Sequence, residues 1–66
     1  MLVNGKQVSL SDLSSPSLIS LLESLKLKPE MVAVQRNGEI VKKTVWPGVT
    51  LQDGDRIEIL KFVGGG

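Results

Sequence analysis

The sequence contains no cysteine, no histidine and no tyrosine. Without cysteine there are no disulfide staples and no thiolate metal ligands. Without histidine, the usual general base at neutral pH and the commonest metal ligand are both missing. The acids are Asp12, Glu23, Glu30, Glu39, Asp53, Asp55 and Glu58, and none forms an evident pair that would split two carboxyl pKa values for acid–base work. Aromatic residues are scarce, Trp46 and Phe62 being the two present. With so little to stack bases, a net charge of only +1 and basic residues scattered among acids, a nucleic-acid surface is not expected. No apolar run approaches the roughly 18 residues that a membrane span needs. The first residues also lack the basic-then-apolar pattern of a secretion signal. These absences predict a non-enzymatic domain of the reducing cytoplasm, with no membrane, no catalytic residue, no metal and no cofactor held by the chain itself.

What is present is an aliphatic core. Hydrophobic residues make up 41% of the 66 positions. This length allows one domain. A domain so small buries only about 60% of the surface its unfolded chain exposes, so its stability rests on packing.

Along the chain, Met1-Leu2-Val3, Asn4-Gly5 and the alternating run Lys6-Gln7-Val8-Ser9-Leu10 predict a β-hairpin. Asn-Gly suits the type I′ turn, which needs φ > 0 at both central residues. Met1, Val3, Val8 and Leu10 are expected on the core face and Leu2 on the other. Ser17 is a candidate N-cap, with Ser15-Pro16 as the alternative start. Leu18, Leu21, Leu22 and Leu25 follow at helical spacing, predicting one buried face opposite Ser20, Glu23, Ser24 and Lys26. Lys26 and Lys28 are placed at the helix end, where cations favour the dipole, and Pro29 blocks continuation. Residues 31–36 read as a buried strand, Asn37-Gly38 as a second hairpin turn and Glu39-Ile40-Val41 as a short return strand. Residues 42–49 read as irregular, with Trp46 covering one end of the core. Asp53-Gly54-Asp55 reads as a tight turn, since the other ligands of a calcium-binding EF-hand loop are missing.

The last strand, residues 56–62, has uneven alternation. Ile57 and Ile59 share one face, while Leu60 and Phe62 share the other with Arg56 and Glu58. With the isoleucines in the core, Leu60 and Phe62 form an exposed apolar pair of the kind that marks a partner surface. The alternative is a bend that returns Phe62 to the core. After Val63 the sequence reads Gly64-Gly65-Gly66. Such glycines are either a frayed end or a segment able to pass through a narrow channel, since they carry no Cβ. A terminal carboxylate, ionised above about pH 3.5, is the reactive group left once the others are eliminated.

The order hairpin, helix, strand, short strand, loop, strand predicts an α+β fold. A mixed sheet of four or five strands carries one main α-helix packed across one face, and the first and last strands run parallel at its centre. That is the ubiquitin-like β-grasp. The expected body is residues 1–63, with 64–66 as a flexible tail.

Three runs resemble the ThiS family of sulfur carriers of thiamine (thiazole) biosynthesis. They are Val32-Ala33-Val34-Gln35-Arg36-Asn37-Gly38-Glu39-Ile40-Val41, Leu51-Gln52-Asp53-Gly54-Asp55-Arg56-Ile57-Glu58-Ile59 and Phe62-Val63-Gly64-Gly65-Gly66. Val3-Asn4-Gly5 and the helix from Leu18 to Leu25 fit too. The resemblance implies that an E1-like adenylyltransferase activates Gly66 with ATP. A cysteine desulfurase-type donor then supplies sulfur to make a thiocarboxylate, and thiazole synthase accepts that sulfur. It assigns Gly65 and Gly66 as the reactive end, Gly64 and Val63 as the threading segment, and Leu60, Phe62 and Val63 as docking residues. Related carriers serving molybdopterin, cysteine or tRNA thiolation, and a ubiquitin-like interaction module with an inert tail, are the alternatives. Lys42-Lys43 departs from the family, where Pro-Arg is frequent, and affects only the expected loop geometry.

Overall fold

The computed structural model describes residues 1–62. Among them, five strands form one sheet: β1 (Leu2–Val3), β2 (Lys6–Gln7), β3 (Val32–Arg36), β4 (Glu39–Ile40) and β5 (Arg56–Lys61). Their spatial order is β2-β1-β5-β3-β4. β5 lies at the centre, parallel to β1 and antiparallel to β3. One α-helix, α1 (Leu18–Ser24), contributes Leu18, Leu21 and Leu22 to a core shared with Val3, Val32, Val34, Ile57 and Ile59 of the sheet. This is the α+β, ubiquitin-like β-grasp arrangement expected from the sequence.

Both Asn-Gly pairs make the predicted turns. Asn4 and Gly5 have φ of 50° and 83°, and Asn37 and Gly38 have 53° and 87°. Residues with short polar side chains, or none, tolerate this left-handed region best. The first hairpin is shorter than its alternating pattern suggests. Regular pairing ends at Gln7, and Leu10–Asp12 forms a 3₁₀ turn. Met1 and Val8 nevertheless exchange backbone bonds of 3.0 and 2.9 Å, and Val8 and Leu10 pack against the core as expected.

Ser17 is the N-cap, its hydroxyl accepting the Ser20 N–H at 3.1 Å. Three expectations for this region need correction. Ser20 is buried, because the preceding loop folds over it and its hydroxyl bonds to those of Ser15 (2.7 Å) and Ser14 (3.1 Å). Leu25 is 43% exposed: it is the C-cap residue, its N–H still bonded to Leu21 C=O, and no further helical turn follows to cover it. The stop comes well before Pro29 and is made by Lys26, whose φ is 57°. Lys26 N–H donates to Glu23 C=O and Leu27 N–H to Leu22 C=O, the two bonds of a Schellman cap. Lys26 therefore forms the cap through its backbone instead of lying in the last helical turn, and Leu27 takes the packing role expected of Leu25.

Met31 also departs from expectation. It lies in the 3₁₀ segment Pro29–Met31, half-exposed, and the buried strand starts at Val32. A further 3₁₀ segment, Lys43–Gly48, holds Trp46 in the core with its Nε1–H donating to Val41 C=O at 2.8 Å. Lys43 Nζ lies 5.8 Å from the Trp46 ring centroid. No helix among the described residues is long and apolar enough to cross a membrane.

Candidate functional site

The site is built on β5. Strand alternation sends Ile57 and Ile59 into the core and leaves Leu60 and Phe62 on the opposite side, 51% and 54% exposed. No bend returns Phe62 to the interior. Its N–H donates to Met31 C=O at 2.9 Å, so the chain is still held beside β3 at that point. Leu60 lies opposite Ala33, Glu58 opposite Gln35, and Gln35 in turn opposite Ile40. Cross-strand partners share a face. Ile40, itself well exposed, therefore lies on the same side of the sheet as Leu60. Sequence reading missed Ile40 as a contributor to this apolar surface. The pairing register is what brings Ile40 there, and no local pattern shows it.

β5 is gripped at both ends by asparagines from the two hairpin turns. At its start, Asn37 Oδ1 accepts the Arg56 N–H at 2.9 Å, and Asn37 N–H donates to Arg56 C=O at 2.8 Å. Toward its end, Asn4 Oδ1 accepts the Ile59 N–H at 2.7 Å while its Nδ2 donates to Ile59 C=O at 3.2 Å.

The start of β5 also carries a polar knot that went unnoticed in the sequence. Asp55 is only 6% exposed. Its Oδ1 accepts from Asn37 Nδ2 at 3.1 Å, and its Oδ2 accepts from Gln52 N–H at 2.9 Å and Arg36 Nε at 3.0 Å. Arg36 Nη2 adds an ion pair at 2.9 Å and donates to Thr50 C=O. Burial pushes the Asp55 carboxyl pKa up, but the Gln52, Asn37 and Arg36 hydrogen bonds and the Arg36 charge outweigh it, so the net shift is downward. The Asp-Gly-Asp turn therefore anchors β5 with a carboxylate whose two oxygens are both engaged.

Of the predicted site residues, Leu60 and Phe62 are placed side by side on the exposed face. Val63, Gly64, Gly65 and Gly66, and with them the boundary between body and tail, lie outside the described residues.

The model of the ThiS family matches residues 1–66. The chain belongs to the ThiS family. It is 42% identical over 64 residues to the sulfur carrier protein ThiS of Bacillus subtilis, a match covering 97% of this chain and 96% of that protein. A crystal structure of the thiamine biosynthesis protein ThiS from Geobacter metallireducens superposes with a TM-score of 0.78 at 38% identity, covering 98% of this chain and 96% of that one. A thiazole synthase of Paramagnetospirillum magneticum is 39% identical over 66 residues. The whole of this chain is matched there, but it spans only 20% of that protein's length.

Proposed function

We propose that this chain is a cytoplasmic sulfur carrier of thiamine biosynthesis, a protein substrate acted on by partner enzymes. The observation that carries the proposal is the exposed pair Leu60, on the central strand β5, and Phe62, just past its end, immediately before Val63-Gly64-Gly65-Gly66. The apolar pair docks on a partner, Val63 extends the contact, and Gly64 and Gly65 thread toward that partner's reaction centre. Family membership and the Bacillus subtilis carrier support the reading.

The chemistry takes place at Gly66. Its carboxylate oxygen attacks the α-phosphorus of ATP bound by an E1-like adenylyltransferase, and pyrophosphate leaves. A persulfide sulfur from a cysteine desulfurase-type donor then attacks the carbonyl carbon and displaces AMP. A thiol reduces the resulting acyl disulfide, leaving the thiocarboxylate. Thiazole synthase is the acceptor. The long thiazole synthase relative, which contains a region like this whole chain, supports that partner because fusion keeps donor and acceptor together. ATP belongs to the activating partner.

Incubation with an adenylating enzyme, ATP and a persulfide donor tests the reading. The peptide ending in Gly66 should gain the mass difference between sulfur and oxygen, and no other peptide should change. ATP-dependent labelling elsewhere, or none in a folded protein with an active enzyme, would refute it.

A further inference from the structure

The two asparagines that grip β5 differ in what lies beyond them. Asn37 binds Arg56, where the strand enters the sheet between β1 and β3. Asn4 binds Ile59, immediately before Leu60. β1 pairs with β5 only at Arg56 and Ile57, so its strand pairing ends before the docking residues begin. Asn4 continues that pairing by other means. Its backbone N–H donates to Ile57 C=O at 2.9 Å, and its side-chain amide presents an acceptor and a donor to the N–H and C=O of Ile59. The amide thus stands in for one further residue of strand on the β1 side. Among the described residues, no hydrogen bond extends this side of β5 past Ile59.

We propose that Asn4 is a positioning residue for docking. Its amide clamps β5 from the side opposite β3, so that Leu60 and Phe62 leave the sheet in one fixed direction. The inference rests on the carrier reading above for its partner, but not for the clamp itself. The geometry requires asparagine in particular. Aspartate tolerates the left-handed turn yet cannot donate to Ile59 C=O, and glycine tolerates it yet offers neither group.

Asn4→Gly is the test, because it preserves the turn and removes only the amide. Asn37→Gly is the matched control, removing the same side chain from the equivalent turn at the far end of β5. With concentrations corrected for the folded fraction, Asn4→Gly should raise the KM of the carrier for its adenylating enzyme about five- to tenfold at unchanged kcat. Asn37→Gly should change KM less than about twofold whatever its stability. In the free protein, Asn4→Gly should lower the backbone order parameters at Leu60 and Phe62 from about 0.85 toward about 0.6, and Asn37→Gly should not. Asn4→Asp, which keeps the acceptor, should give a smaller change of the same sign, and it carries the test if the glycine variant does not fold. Equal KM values for the Asn4 and Asn37 variants, or unchanged order at Leu60 and Phe62, would overturn the proposal. If the wild-type chain is not adenylated at all, the carrier reading fails, and the relaxation comparison still decides for or against the clamp.

Discussion

Ile57 and Phe62 belong to one short run of chain but do opposite work. Ile57 has no exposed surface, so Ile57→Ala should cost roughly 2–5 kcal/mol through lost burial and a residual cavity. Phe62 is half in solvent, so Phe62→Ala should cost less than about 1 kcal/mol while weakening partner binding. Urea unfolding of both variants checks this, and a loss of about 3 kcal/mol at Phe62 would place that ring in the core instead. Asp55 makes a pH-dependent contribution. A carboxyl whose folded pKa is depressed stabilises fully above its ordinary value of 3.8 and loses that contribution as pH falls through the folded value. Asp55→Asn should therefore cost roughly 1–2 kcal/mol at neutral pH, allowing for the partly open Arg36 guanidinium. The denaturation midpoints of the two proteins should converge as pH drops below about 4. A gap that stays constant through acid would mean that the carboxylate charge contributes nothing.

The elements show which signals a sequence carries. Asn-Gly specified both hairpin turns because few residues accept left-handed dihedrals, and that restriction is local. Ser17 fixed the start of α1 for a similar reason, since a hydroxyl there meets an unpaired N–H. Leu60 and Phe62 were legible because alternation forces them away from Ile57 and Ile59. The helix end was not legible, because a leucine stripe does not reveal where the backbone turns left-handed, and lysine is a poor marker of that turn. Asp55 was missed because its partners Arg36, Asn37 and Gln52 meet only when the sheet has formed. The helix end carries its own prediction. At Lys26 a Cβ sits in left-handed backbone, so Lys26→Gly should stabilise the protein by about 0.5–1 kcal/mol, the steric relief exceeding the added unfolded-state entropy. Thermal unfolding reads the effect, and a lower melting temperature would contradict it.

At the scale of the molecule, the core is drawn from β1, α1, β3, β5 and the segment around Trp46, while β2 and β4 flank it at the sheet edges. The two asparagine turns bind β5 and the Asp55 knot sits at its start, so the strand that carries Leu60 is tied to both hairpins by side-chain bonds. The central position of β5 has a consequence for synthesis. Leu2 and Val3 wait for Arg56 and Ile57, and that closure spans most of the described chain. Contacts of such long range form late, because the entropy of closing the loop must be met before pairing returns anything. The sheet therefore cannot be completed until its central strand has emerged from the ribosome. The side on which Leu60 and Phe62 stand exists only once that strand is seated between its neighbours. This amounts to quality control: a partner that reads that side of the sheet is offered only molecules whose central strand is already seated.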